Sequence, residues 1–182
     1  GRGTFARQID IGGYSMTLSS AVANYGLSAI ATPTGTNVAN DVRIGAAPAS
    51  VGFPTADVAY SFKVTSTGAT DAITWDAYTS TVATASGSPS IADGDGKDFE
   101  GIDIPNLLTL YSILYVAPST NTGTVVFASG SKLPSGTLRV GGGNMNKSDA
   151  AGVVMTAIES TNTATFSASG DEFIITVIGK SS

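Results

Sequence analysis

Residues 58–65 read VAYSFKVT, and apolar side chains recur there at every second position. A period of two places alternate side chains on opposite faces of a β-strand. The apolar face carries Val58, Tyr60, Phe62 and Val64. Branched and aromatic side chains also pack well on a pleated surface. The stretch therefore predicts a half-buried strand.

The same alternation returns several times after residue 65, and turn residues at 67–69, 134–136 and 169–171 separate the stretches. Their apolar positions are Ile73, Trp75 and Ala77; Val125 and Phe127; Leu138 and Val140; Ala164, Phe166 and Ala168; and Phe173, Ile175 and Val177. The last two stretches predict a C-terminal hairpin. Short strands divided by Gly, Ser, Asn and Asp clusters predict an all-β sandwich or barrel.

Two segments of the sequence are compatible with a helix. Pro105 suits the first turn of a helix, so residues 104–109 are predicted to form one helical turn. The apolar run that follows predicts a central strand at Tyr111–Val116, buried on both faces. Residues 148–159 admit a helix or a strand, and Gly152 with the two valines after it favours the strand.

The first 55 residues lack long alternating stretches. Gly and Pro interrupt short apolar pieces such as Ile9–Ile11. A segment this short and broken buries little surface alone, and its low charge favours a covered arm over a free tail. We expect residues 1–55 to form an extended N-terminal arm that lies over the sandwich or a neighbouring subunit. Residues 56–182 are then the sandwich domain, with the boundary near Pro54.

Composition excludes several kinds of chemistry. The 182 residues include no Cys and no His, which removes thiolate and imidazole zinc sites, Cys–His nucleophiles and Ser–His–Asp triads. Nine cationic and fourteen anionic residues give a net charge of −5, and only Arg2 and Arg7 lie close together among the cations. Nucleic-acid binders cluster cations against phosphates, so no direct nucleic-acid partner is expected. The run Leu107–Ala117 is shorter than the ~20 residues that span a bilayer, so no membrane partner is expected.

One acidic cluster, residues 93–103, reads DGDGKDFEGID. Alternating Asp and Gly could supply oxygen ligands to calcium, but a Lys within it and the lack of EF-hand spacing favour a soluble surface turn. Asp98 with Glu100 or Asp103 resembles a glycosidase pair, yet a Gly-rich loop offers neither burial nor a fixed separation. Likewise, Gly141–Gly143 suits a bulge or tight turn better than a dinucleotide-binding loop. We therefore expect no catalytic residue, no metal, no cofactor and no enzyme activity.

Aromatic residues are the candidates for a glycan-binding platform, which needs exposed rings. They are Tyr60, Trp75, Tyr78, Tyr111 and Tyr115. Tyr60 and Trp75 share the apolar faces of their predicted strands, so we expect them in the core. Tyr78 lies on the opposite face from Trp75 and is the ring expected to be exposed.

A β protein without Cys or His, rich in Gly, Ser, Thr and Ala, and led by an extended arm resembles structural proteins of bacteriophage virions. The stretch Asp95–Tyr111, in which a Gly/Asp loop leads into an apolar strand, is similar to jelly-roll-like modules of capsid decoration and fibre or tail proteins. The resemblance covers residues 56–182. It implies an all-β, jelly-roll-like antiparallel β-sandwich and self-assembly into a homo-oligomer, commonly a trimer.

The resemblance also implies a place on the capsid surface and contact with a major capsid or other virion protein. The expected function is that of a non-enzymatic capsid decoration (cement) protein, which stabilises the lattice through self-assembly and arm exchange. The alternative is a secreted or cell-surface β-sandwich binding module, with glycans as one class of ligand. A hydrolase that uses the acidic cluster is a third class.

Overall fold

The computed structural model describes residues 9–11, 14–16, 20–25, 28–31, 42–45, 49–93, 106–129, 132–157 and 159–181. These residues form sixteen strands and no helix. The strands are β1 (Ile9–Ile11), β2 (Tyr14–Met16), β3 (Val22–Tyr25), β4 (Ser28–Ala31), β5 (Val42–Gly45), β6 (Ala49–Gly52), β7 (Val58–Thr65), β8 (Ala72–Asp76), β9 (Thr81–Ser86), β10 (Ser90–Asp93), β11 (Thr109–Ala117), β12 (Val125–Ser129), β13 (Gly136–Leu138), β14 (Gly143–Val154), β15 (Thr161–Phe166) and β16 (Glu172–Lys180).

Ten of these strands build two five-stranded antiparallel sheets that pack against each other. The front sheet has the order β10-β7-β16-β11-β14, and the back sheet has the order β13-β12-β15-β8-β9. Pairing is nested along the chain: β7 with β16, β8 with β15, β11 with β14, and β12 with β13. A long antiparallel ribbon folded over itself in this way is a jelly roll. The expected all-β, jelly-roll-like sandwich is confirmed.

The inward faces of the two sheets form one core. The alternation in the sequence supplies it, since alternate residues of β7, β8, β12, β15 and β16 are buried. Six rings make a continuous chain of contacts with centroids 4.6–6.2 Å apart, in the order Phe62, Trp75, Tyr115, Phe127, Phe173 and Phe166. Each such contact adds about 0.5–1.5 kcal/mol beyond the burial of area.

The predicted C-terminal hairpin is wrong. β15 pairs with β12 and β8 in the back sheet, whereas β16 pairs with β7 and β11 in the front sheet. The connection at residues 167–171 is therefore an arch that carries the chain between sheets. A hairpin and an arch both show two alternating stretches around a tight turn, so the local pattern does not separate them.

Two further local predictions need correction. Asn106–Leu108 are not helical, and β11 begins at Thr109, so the helical turn is wrong over its described part; residues 104 and 105 lie outside the described residues. Val140 follows the end of β13 and is 62% exposed, because the chain turns there instead of continuing the strand.

The remaining local predictions hold in whole or in part. Residues 148–154 belong to β14, as favoured over a helix. Gly141 and Gly142 have φ of 85° and 83° and form a tight turn before β14, in the left-handed region that favours glycine. The central strand β11 is buried on both faces only over residues 110–113, since Leu114 is 37% exposed.

The described strands of the N-terminal segment pair among themselves. β1 pairs with β2, while β3 with β6 and β4 with β5 form a nested two-stranded ribbon. Phe53 joins this ribbon to the sandwich: its N–H donates to the carbonyl of Ala21 at 2.9 Å, and its ring stacks on Tyr111 with centroids 5.5 Å apart. Thr55 Oγ1 also lies 2.7 Å from Tyr111 Oη. The division into residues 1–55 and 56–182 stays a prediction.

Candidate interaction surfaces

Buried aspartates close one end of the sandwich. The arch from β7 to β8 ends at Asp71 and the arch from β15 to β16 ends at Asp171, and both residues are at most 3% exposed. Asp71 Oδ2 accepts the backbone N–H of Thr67 at 2.7 Å, which holds the pKa of Asp71 below its usual value. A carboxylate that accepts backbone N–H groups is stabilised in its charged form. Asp71 therefore acts as a cap for its own arch.

Asp171 binds a third connection, residues 118–124 between β11 and β12. Its Oδ1 accepts the N–H of Thr122 at 2.8 Å, and its Oδ2 accepts the N–H of Gly123 at 2.7 Å. The carbonyl of Asp171 accepts the N–H of Ser66 at 2.8 Å, which ties its arch to the other one. The side chain and the backbone of Asp171 therefore hold three connections together at this end of the sandwich.

The other aspartates whose side chains are described also cap backbone. Asp57 accepts the N–H of Ser181 at 2.7 Å, Asp76 accepts the N–H of Tyr78 at 2.9 Å, and Asp149 accepts the N–H of Ala151 at 2.9 Å. The two glutamates with described side chains pair with lysines, in Glu159–Lys132 (2.7 Å) and Glu172–Lys63 (3.7 Å). These carboxylates bind backbone groups or lysines within the fold, and no two of them face each other as an acid–base pair.

The acidic cluster at residues 93–103 lies almost wholly outside the described residues. Only the backbone of Asp93 is described, at the end of β10 opposite Phe62. The calcium hypothesis and the pairing of Asp98 with Glu100 or Asp103 therefore stay untested. Elsewhere in the described ranges, no group of three or more Asp, Glu, His or Cys could hold a metal ion.

A polar cluster lies inside the core, between the sheets. Asn162, opposite Trp75 in the back sheet, donates its Nδ2 to Tyr115 Oη at 3.4 Å and to the carbonyl of Pro134 at 3.2 Å. Burial raises the pKa of Tyr115 and of Tyr60, so both phenols stay protonated at neutral pH. The two phenols are therefore neutral, and Asn162 Oδ1 is buried without a hydrogen-bond partner among the described residues.

The five aromatic candidates for a glycan platform are not exposed. Trp75 and Tyr115 are fully buried, Tyr111 is 8% exposed, and Tyr60 and Tyr78 are half-buried against the core. The core placement of Trp75 is confirmed. The prediction that Tyr78 is an exposed ring is wrong, because its side chain packs against the core cluster from the end of β8.

The outer face of the back sheet is rich in threonine and alanine. Cross-strand register puts Ala128, Thr163, Thr74 and Ala83 in one row across four strands. Ala128 and Ala83 are exposed, and the next row includes exposed Val126 and Thr165. The outer face of the front sheet differs, since it carries the Lys63–Glu172 ion pair.

The two lateral sides of the sandwich differ more sharply in charge. One side is bounded by β13 and β14, and β14 carries Lys147 and Asp149. The other side is bounded by β9 and β10, which three residues connect. Residues 77–92 contain no charged side chain at all. Sequence reasoning missed this run, although it can be read directly from the sequence as sixteen consecutive uncharged residues.

The sequence-based search also missed the structural aspartates. Asp71 and Asp171 each follow a Gly-containing turn and directly precede a strand, and that shared position is the signal that marks them.

Comparisons with family models, with curated proteins and with solved structures found no match. Within the described ranges, no helix has the length and apolar character needed to cross a membrane.

Proposed function

We propose that this chain is a non-enzymatic structural protein of a bacteriophage particle, a capsid decoration protein that fastens neighbouring capsid subunits. The observation that carries the proposal is the combination of a jelly roll with a separately paired β-ribbon. Phe53 anchors the ribbon by its stack on Tyr111, and β3 to β6 pair with none of the described strands of the sandwich. A sandwich that carries such a ribbon suits contacts between subunits.

The chemistry of the side chains supports a structural role. The described carboxylates cap backbone groups or pair with lysines, and the buried tyrosines stay protonated. General acid–base catalysis needs titratable groups that reach a substrate. The buried rings leave the glycan-binding alternative without an observation that favours it, so no second function is proposed.

Particles of the phage that encodes the sequence provide the test. Removal of the gene should yield capsids that release DNA at a lower temperature, and addition of the purified full chain should restore the release temperature. A decoration protein that binds only the assembled lattice stabilises that state by mass action, and the stabilisation increases with the concentration of free protein. Capsids of equal thermal stability with and without the protein would contradict the proposal.

The arm gives a sharper variant of the same experiment. Removal of residues 1–50 keeps Phe53 and the whole sandwich, so the shortened chain should stay folded but bind capsids more weakly. Circular dichroism reports the fold, and co-sedimentation with capsids reports attachment. If the shortened chain attaches as well as the full chain, the arm has no fastening role; if the sandwich unfolds, the predicted boundary is wrong.

A further inference from the structure

The central strand β11 is irregular at Tyr111. Its register with both neighbouring strands shifts between Leu110 and Ser112. In the pairing with β16 no residue lies opposite Tyr111, whereas in the pairing with β14 the stretch 149–152 lies beside it. A bulge of this kind bends a strand and re-aims a side chain. Tyr111 is therefore the one residue of β11 that is out of step with both neighbours.

The bulge keeps the ring of Tyr111 out of the core between the two sheets. Ile113 and Tyr115 belong to the core, and strict alternation would place residue 111 there as well. Leu110 takes the core position instead, and Tyr111, although only 8% exposed, is not a member of the core cluster. Its ring stacks on Phe53. The bulge thus presents an aromatic ring of the sandwich to the N-terminal segment.

Gly152 of β14 makes room for this ring. Its φ is 81°, in the left-handed region that favours glycine. A Cβ atom at this position would lie 2.9 Å from Cε1 of Tyr111, which is closer than the ~3.5–4.0 Å at which carbon atoms attract each other. One edge of the Tyr111 ring therefore lies close to Gly152, and one face stacks on Phe53 with centroids 5.5 Å apart. Contacts from two segments fix the position of the ring.

Phe53 closes the base of the ribbon formed by β3 to β6. It follows β6 directly, and its N–H donates to the carbonyl of Ala21, just before β3. Phe53 is 3% exposed, whereas Val22 within the ribbon is 47% exposed. No strand of the ribbon pairs with a described strand of the sandwich. The orientation of the ribbon therefore depends on the few residues that join it to the sandwich.

We call residues 53–57 the joint, and they are bound to the sandwich beyond the ring stack. Thr55 Oγ1 lies 2.7 Å from Tyr111 Oη. The carboxylate of Asp57 accepts the N–H and the hydroxyl of Ser181 at 2.7 and 2.8 Å. Contacts at the beginning, the middle and the end of such a short segment limit its rotation. The joint is thus built to hold the ribbon in place.

We infer that Tyr111 is a positioning residue for the ribbon: the bulge presents its ring to Phe53, and this contact sets one direction in which the ribbon leaves the sandwich. A fixed direction favours binding, because ordering a mobile segment on contact costs conformational entropy. The inference goes beyond the proposed function, since the ribbon keeps this orientation in the free protein, whatever partner it contacts.

Distances between two spin labels on the purified full chain measure the orientation, and the chain has no cysteine of its own to interfere. The labels are attached at Ser50→Cys on the ribbon and Ala128→Cys on the back sheet, both at exposed residues. We expect one narrow distance distribution for the natural joint. Phe53→Ala and Tyr111→Leu, which remove the ring stack, should each lose this single distance and give a broad distribution. Tyr111→Phe keeps the ring and should retain the narrow distribution.

Leu114→Ala is the matched control, because Leu114 also lies on β11 but is outside the bulge and is 37% exposed. It should retain the narrow distribution. A separate variant with Asn24→Cys and Ser50→Cys checks the ribbon itself, since these residues lie opposite each other and close enough for a disulfide. This disulfide should form equally well with and without Phe53→Ala.

Three results would overturn the inference. The first is a broad distribution for the natural joint, and the second is a narrow distribution, unchanged in position, for Phe53→Ala. The third is broadening of equal extent in Leu114→Ala. Loss of the ribbon disulfide in Phe53→Ala would contradict it as well, because Phe53 would then hold the ribbon together and not direct it.

Discussion

The substitution Asp171→Asn tests whether buried carboxylates hold the arched end of the sandwich. Asp171 is 2% exposed and accepts the N–H groups of Thr122 and Gly123 at 2.8 and 2.7 Å. Asparagine offers one acceptor oxygen, so its amide nitrogen must face one of these donors. The substitution thereby leaves a backbone N–H without an acceptor at a position that is shielded from water.

The expected loss follows from these two bonds. A hydrogen bond to a charged group contributes about 1.5–3 kcal/mol, and a buried donor without a partner costs about 1–3 kcal/mol. One bond lost and the other weakened predict a decrease of about 2–4 kcal/mol in the free energy of unfolding. At roughly 3–4 °C per kcal/mol for a domain of this size, the melting temperature should fall by about 6–16 °C.

Urea unfolding followed by tryptophan fluorescence suits this test, because Trp75 is the single tryptophan and is fully buried. Glu172→Gln is the control at the neighbouring position. Glu172 makes one partly exposed ion pair with Lys63 at 3.7 Å, so its loss should cost less than about 0.5 kcal/mol. Equal stability of Asp171→Asn and the natural chain would refute the structural role of the carboxylate.

Three further predictions concern the core, acid and the acidic cluster. Trp75→Ala should lower the free energy of unfolding by roughly 3–5 kcal/mol, because it leaves a cavity. The control Val126→Ala, at a residue that is 43% exposed, should lower it by less than about 0.5 kcal/mol. A decrease below about 1 kcal/mol for Trp75→Ala would mean that its ring is not in the core. The N–H of Thr67 lowers the pKa of Asp71 in the folded protein from 3.8. The contribution of Asp71 to the free energy of unfolding is therefore complete above pH 3.8 and is lost as the pH falls below that value. The urea midpoint should decrease in this acidic range, and Asp71→Asn should make the midpoint depend less on pH. Chelator and added calcium should leave the melting temperature unchanged, and a decrease of several degrees with chelator would instead support calcium binding by the cluster at residues 93–103.

The sequence predicts most strands of the sandwich, because burial of one face imposes a period of two, but it does not predict β9 and β10. Phe62, Trp75 and Phe173 illustrate this, since each lies on an alternating stretch and is fully buried. Pairing is harder to predict: the arch at residues 167–171 resembles a hairpin turn, and partners such as β7 and β16 are about a hundred residues apart. Register and sheet membership depend on these distant contacts.

Surface features are likewise only partly predictable from the sequence. The uncharged run at residues 77–92 is visible in the sequence, but its place at one lateral side of the sandwich depends on the position of β9 at the end of the back sheet. The capping roles of Asp71 and Asp171 depend on the arches that bring backbone N–H groups to them. Tyr78 shows the limit of alternation, because a ring at the end of a strand can fold back onto the core.

The proposed function is tested most directly by cryo-electron microscopy of the phage particle to which it assigns the protein. A capsid decoration protein predicts density for a jelly roll of two five-stranded sheets on the outer capsid surface, with the ribbon of β3 to β6 reaching a neighbouring subunit. Particles from which the gene is removed should lack this density. Density of this shape in the tail, or a capsid surface unchanged by loss of the gene, would contradict the proposed role.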